Sequence, residues 1–265
     1  ALGVNSLYSN TTGGSCTATG IASLYSNTTG TNNTGNGLNS LFSNTTGTHN
    51  SAFGRSALYS NQTGVYNTAI GAYALYTNPG ANNNTACGYS TLYNNTTGYD
   101  NAGLGYHALV NNTTGLGNTA VGAEACRSNT TGGSNTGFGY RALYSSTTGV
   151  YNVALGRDAL SDNTTGSGNI GIGFRTSAGG YSPVFNPSTH SNRLILGHTS
   201  ISDAYVKVSW TVTSDERDKM NFAPVPYGLD FVNKLKPTAY QFKVNRDTDT
   251  PTGDVRYGFK AQDIL

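Results

Sequence analysis

A period of seventeen residues runs through the first two thirds of the chain. Leu7, Leu24, Leu41, Leu58, Leu75, Leu92, Leu109, Cys126, Leu143 and Leu160 are each 17 residues apart. Eleven glycines, from Gly3 through Gly88 to Gly173, keep the same step without a gap. The consensus unit is A-L-Y-S-N-T-T-G-x-x-N-T-A-h-G-x-x, with h apolar. A unit this short cannot hold a helical pair, which needs about 33 residues or more, but it suits one coil of a β-solenoid. Each unit offers two strand-like pieces, such as Ala57–Ser60 and Asn67–Ile70, separated by Gly-containing turns. Both Gly columns are expected where a tight turn needs positive φ. At about 4.8 Å per coil, eleven coils make a rod roughly 50 Å long.

The expected filling of that rod is thin. Each coil supplies a Leu, one or two Ala, and a residue from the column Phe53, Ile70, Cys87, Leu104, Val121, Phe138, Leu155 and Ile172. On this reading Cys87 substitutes in a packed apolar row. Two Asn columns, one from Asn10 to Asn163 and one from Asn33 to Asn169, are placed to form amide ladders and to cap turns. An aromatic column of Tyr8, Tyr25, Phe42, Tyr59, Tyr76, Tyr93 and Tyr144 needs a further surface to bury against. Three chains side by side would provide it, so a homotrimer is expected. N-T-A-I-G followed by a small residue resembles the head repeats of trimeric autotransporter adhesins, which are trimeric left-handed β-rolls with a shorter repeat.

Composition supports a fibrous protein over an ordinary enzyme. Gly (35), Thr (37) and Asn (31) dominate the 265 residues, and only 11% are charged, against roughly 25% in a globular domain. A net charge of +2 offers no basic stripe for nucleic acid, and no run of about 18 apolar residues predicts membrane insertion. Cys16, Cys87 and Cys126 are too far apart for a zinc site or a disulfide framework. His49, His107, His190 and His198 share no metal spacing and read as surface residues. The repeats hold too few Asp for calcium binding and no recurring carboxylate pair for glycoside hydrolysis. No cofactor is therefore expected. Eight Asn-x-Thr sequons follow from the Asn-Thr-Thr turn and read as turn chemistry copied by duplication. With no initiator Met and no signal-peptide pattern, the chain reads as a piece of a longer or processed one.

The chemistry changes after the repeats. Residues 181–213, with Pro183 and Pro187, read as a linker or capping β region, in which Arg193–Gly197 and Tyr205–Ser209 look like strands. Residues 214–265 hold 8 of the 15 Lys+Arg and 8 of the 13 Asp+Glu, which marks a domain boundary at Ser214 and leaves 1–180 as the shaft. The opening Ser214-Asp-Glu-Arg-Asp-Lys219, the later Gly228–Leu235, Pro237, Tyr240 and Phe242, and Gly258-Phe-Lys-Ala-Gln-Asp263 carry a resemblance. They resemble the start of the intramolecular chaperone domain of phage endosialidases, tail fibres and tailspikes, also found in myelin regulatory factor.

That family assembles three fibre chains and then cuts its own backbone at the Ser. The resemblance implies Ser214 as nucleophile, Lys219 as general base or activating group, and Asp215 and Arg217 in support, with Ser214–Asp215 as the bond cut. Known members continue into further helices, so the domain reads as incomplete at Leu265. A Ser–Lys pair is chemically adequate, because a lysine of lowered pKa can take the hydroxyl proton.

The fold class expected is all-β: a parallel β-solenoid or β-roll of 17-residue coils, homotrimeric, followed by a small α+β chaperone segment. The function expected is a viral or phage tail fibre that attaches to a host cell-surface receptor or glycan, located on the virion or the cell exterior. A bacterial extracellular adhesin shares that architecture. An ice-binding solenoid would need spaced T-x-T on its strands, whereas the Thr of Thr11-Thr12 and its equivalents are adjacent.

Overall fold

The computed structural model describes residues 1–173, 188–197, 238–243 and 251–258. The chain divides into one compact unit over Ala1–Ala204 and another over Tyr205–Leu265. The first unit is the solenoid. Its strands are β1 (Thr17–Thr19), β2 (Thr34–Asn36), β3 (Ser51–Phe53), β4 (Thr68–Ile70), β5 (Thr85–Cys87), β6 (Ala102–Leu104), β7 (Thr119–Val121), β8 (Thr136–Phe138), β9 (Val153–Leu155), β10 (Ile170–Ile172) and β11 (Leu194–Leu196). They form a single parallel sheet in sequence order, each residue pairing with its own counterpart one coil on, as Ala69 pairs with Ala86. Ahead of β1, Leu2 bridges Thr19. The strand read at Arg193–Gly197 is the eleventh member of this sheet, and Gly171 pairs with Ile195.

The T-A-I strand turns its central residue inward and its two flanking residues outward, as the alternation of a strand requires. The inward column is small, Ala52, Ala69, Ala86 and Ala120 all being fully buried. Where it falls to Gly at 103, the facing wall carries Thr91 in place of Ala, and a Cβ on Gly103 would lie 2.6 Å from the Thr91 Cγ2. The Leu column packs against this wall, fully buried from Leu24 to Leu143. Cys126 takes a Leu place and is buried, as expected of a substitute in a packed row.

The apolar column that was expected to share this core lies outside it. Phe53, Ile70, Leu104, Phe138, Leu155 and Ile172 are 42–52% exposed, and Cys87 is half-buried among them. Each sits at the third strand position, and the pleat sends it to the opposite face from the Ala before it.

Two Asn columns occupy the rest of the interior. In the first, each Nδ2 donates to the Oδ1 of the Asn one coil earlier at 2.7–3.2 Å, unbroken from Asn27 to Asn129. The same Nδ2 reaches the carbonyl three residues on, so each turn is capped as well. In the second column the Oδ1 of one Asn accepts both the backbone N–H and the Nδ2 of the next, as Asn50 does from Asn67 at 3.0 and 3.1 Å. Gly64 O accepts from Asn61 at 3.2 Å and Asn50 at 2.7 Å, and so ties the two ladders together. Cys16 stands at the head of the second column, its Sγ 3.3 Å from Gly30 O.

The first strand-like piece, A-L-Y-S, is not a strand. Leu58 has φ 51° and Ser56 φ 54°, and the same left-handed conformations recur in every coil, with a third at Tyr66 (φ 58°). Such residues cost on the order of 1–3 kcal/mol each and persist only where the surroundings fix them. Here the Leu side chain is fully buried, and its N–H donates to the next coil, Leu58 to Ala74 O at 3.0 Å. The turn geometry lets a coil of only 17 residues close around a core two side chains wide.

The two Gly columns have different causes. Gly88 has φ +136°, and a Cβ there would lie 2.5 Å from Gly105 O, so conformation and space both require glycine. Gly47, of the Thr-Thr-Gly column, is not in the left-handed region. A Cβ on it would lie 2.5 Å from Asn44 Oδ1 and 2.8 Å from Asn61 Nδ2. Space is short there because the Asn ladder and the Gly64 carbonyl of the next coil both run against it, and the column is Gly except in one coil, where Ala81 takes the place. In the second unit the described residues form an antiparallel pair, β12 (Thr238–Lys243) and β13 (Pro251–Gly258), with a register shift between Tyr240 and Phe242 and no helix.

The first Asn ladder stops at Ser146, leaving Asn129 Oδ1 and Ser146 Oγ buried without partners. Ser146→Asn restores the repeat residue and should raise stability by about 1–3 kcal/mol, the cost of a buried unsatisfied group, seen as a higher Tm. Asn95→Ala should lower it by a similar amount. Gly88→Val should disrupt locally, since solenoid stability is nearly a sum over neighbouring coils. Hydrogen exchange checks this, with protection expected to fall in coils next to Gly88 and to persist at both ends.

Candidate functional site

The outer face of the sheet is built from the first and third residues of each strand. The third-position column runs Phe53, Ile70, Cys87, Leu104, Val121, Phe138, Leu155, Ile172 and Leu196. The first-position column is Thr or Ser through most of the rod, then Val153, Ile170 and Leu194. No outward position of the eleven strands carries a charge. The face grades from Thr19 and Asn36 at one end to paired apolar side chains at the other.

The aromatic column lies on another side of the coil. Tyr8, Tyr25, Phe42, Tyr59, Tyr76 and Tyr93 stack with centroids 4.9–5.2 Å apart and planes within 4–8°. The spacing is that of the coils, so the rings cover one another along the axis, and those from Tyr25 to Tyr93 are half-buried. Burial raises the Tyr76 phenol pKa above its ordinary value, with Tyr93, Tyr59 and Tyr73 adding to the effect.

Beyond Tyr93 the column changes to Val110 and Arg127, and the character of this side changes too. Arg127 donates to Tyr144 Oη at 3.0 Å, and the Arg141 guanidinium lies 4.1 Å from the Tyr144 ring centre. Glu124 pairs with Arg127 and Arg141 at 3.7 Å, and nearly buried Asp158 with Arg141 at 3.8 Å and Arg157 at 3.3 Å. Beside them Tyr89, Tyr106 and Tyr140 are exposed, and His107 stacks on Tyr106 with centroids 3.9 Å apart. Burial, helped by Arg127 and opposed by Glu124, lowers the His107 pKa. Sequence reading passed over this patch although its members stand in three columns at the same step of 17, Arg127 with Tyr144, Glu124 with Arg141 and Asp158, and Tyr89 with Tyr106 and Tyr140, because residue type changes along each column.

Ser214, Asp215, Arg217 and Lys219 lie outside the described residues, as does His198. His49 is exposed, stacked on Tyr66 at 4.9 Å, and His190 is exposed as well. Burial pushes the Cys126 thiol up to about 12. No group of three or more His, Cys, Asp or Glu is placed to hold a metal among the described residues. The turn-sequon side chains Asn27, Asn44, Asn61, Asn95, Asn112, Asn129 and Asn163 are fully buried in the ladder or at its end, which closes them to glycosylation in the folded rod. A shallow recess beside Pro79, Asn82, Asn83, Thr96 and Tyr99 has no charged side chain. No helix of the described residues is long and apolar enough to cross a membrane.

With this geometry in place, comparison supplies the class. Residues 214–265 match the family described as the chaperone of endosialidase, about a fifth of the chain and the same segment that the sequence motifs mark. Comparison with curated proteins and with solved structures finds no match. A parallel β-solenoid followed by a chaperone-of-endosialidase segment defines a fibre-type protein.

The aromatic ladder generates a graded expectation. Tyr76→Ala removes a ring stacked on both sides, whereas Tyr8→Ala removes one at the end that is 68% exposed. Aromatic pairs contribute about 0.5–1.5 kcal/mol each beyond area burial. Thermal unfolding should therefore show Tyr76→Ala costing about 1 kcal/mol or more beyond Tyr8→Ala.

Proposed function

We propose that this chain is part of a homotrimeric tail fibre of a phage or virus. The solenoid is the shaft that presents the host-attachment surface, and the C-terminal segment is an assembly chaperone that removes itself. The observation that carries this reading is the chaperone-of-endosialidase match at 214–265, C-terminal in sequence to a repetitive β-solenoid. A rod whose interior is Leu, Ala and hydrogen-bonded Asn has little apolar material to drive its own collapse. Assembly help is what such a chain needs.

The outer face also bears on the ice-binding alternative. Among the described strands β1 alone has outward Thr at both positions, Thr17 and Thr19. From β3 onward an apolar side chain takes the third place, which favours packing against protein over ordering water.

The chemistry proposed for release is an acyl transfer. The Ser214 hydroxyl attacks an adjacent backbone carbonyl while Lys219, as the neutral amine, takes its proton, and backbone N–H donors hold the oxyanion. Collapse expels the amine of the cut peptide, which takes up a proton, and water then hydrolyses the ester. Asp215 and Arg217 support the geometry of the turn.

Expressed as the complete gene product, the protein should run as two fragments on a denaturing gel. Ser214→Ala and Lys219→Ala should each give one full-length band while still forming trimers. Unchanged cleavage in Ser214→Ala would remove the assignment, and loss of trimers in both variants would make these residues part of folding instead.

A further inference from the structure

We infer that the outer face of the eleven-stranded sheet is the surface on which three copies of this chain meet, parallel and in register, with the Cys87 thiols at the axis. This deepens the assembly reading above and rests on it. In one chain the face is left uncovered. Phe53, Leu104 and Phe138 are 42–52% exposed although they sit at the centre of a regular sheet. The charged side chains of the described repeats lie on the turns, so like faces meet without repulsion.

The periodicity of the face identifies its occupant. Its side chains recur once per coil, about every 4.8 Å over about 50 Å. Only a partner with the same pitch meets every one of them in the same way, and a second copy of this chain has that pitch. Outward side chains on one strand are about 7 Å apart, so the two columns present on the order of 500 Å² per copy. Two copies would bury about 1,000 Å² in total, and three around one axis about 1,500 Å² shared among three contacts, so area does not set the number of copies, and three is taken from the assembly reading above.

The gradient along the face sets the direction. Its first strands offer Thr19 and Asn36, and its last offer Ile170, Ile172, Leu194 and Leu196. Antiparallel packing would press the polar end of one copy on the apolar end of another and desolvate Asn36 against hydrocarbon, which costs free energy unless its hydrogen bonds are replaced. Parallel packing puts like with like, and places the C-terminal segments of all three copies at the same end. Cys87 is the cysteine of this face, since Cys16 belongs to an Asn column and Cys126 is buried in the Leu column.

The test uses the full chain and needs no variant for its first arm. Native mass spectrometry reads the assembly state, and dibromobimane, which fluoresces strongly when it bridges two thiols, is present during assembly. A trimer with a bridged two-chain band that Cys87→Ser abolishes supports the inference. So does bridging through Ile172→Cys in the Cys87→Ser background, which parallel packing alone allows. Leu104→Asp, exposed in a single chain but set among its like in the trimer, should reduce the trimer fraction at least about tenfold, while Thr114→Asp on the turn of the same coil leaves it unchanged. A trimer that shows no bridging and is indifferent to Leu104→Asp overturns this interface and leaves the assembly reading standing. A stable monomer overturns both.

Discussion

Everything in this rod depends on one hydrogen bond repeated from coil to coil: the amide of a buried Asn donating to the amide of the Asn below it. A buried amide without partners costs about 1–3 kcal/mol per orphaned group, so the Asn columns hold the coils in register. A slip of one residue would set each ladder Asn against the Ser, Thr or other residue beside the next Asn, and would break the amide-to-amide bonds. Length variation is therefore suppressed, and eleven glycines keep a step of 17 without a gap. Hydrophobic packing is secondary here, since the apolar interior is one Leu and one or two small residues per coil.

The same ladder explains features that look unrelated in the sequence. Glycine in the Thr-Thr-Gly turn leaves room for the Asn side chains, and its carbonyl accepts from both ladders. The left-handed Leu is held by its own burial and by the bond from its N–H to the next coil. Where the ladder lapses at Ser146, buried oxygens without a hydrogen-bond partner gather, at Asn129, Ser146 and Ser161, and ion pairs of Glu124 and Asp158 with Arg127, Arg141 and Arg157 lie in the neighbouring coils. The regular stretch and the irregular one divide the rod into a repetitive part and a chemically distinct one.

Burial and exposure are distributed unlike those of a globular domain. Polar Asn shares the interior with Leu and Ala, and a second column of large apolar side chains lies on the outer sheet face. The aromatic rings, which the sequence marks as needing a partner surface, gain much of their cover from one another along the axis. It is the Phe53–Leu196 column that remains open to another chain.

The sequence alone determined the period, the solenoid, the two Asn ladders, the place of Cys126 and the start of the chaperone segment at Ser214. Each of these is a matter of spacing, and spacing is what a linear text records. Only the tertiary structure decided which way each column faces. Phe53 and Ala52 are adjacent in sequence and both apolar, yet the pleat sends the larger one outward and the smaller one inward. Leu58 reads as a strand residue by type and takes a turn conformation because the coil must close. The Arg–Tyr patch is decided the same way, since it is the coil that brings the Arg141 column beside the Arg127–Tyr144 column, setting the Arg141 guanidinium over the Tyr144 ring. Composition counts what a chain has to bury; the closed path of the backbone decides which of it is buried.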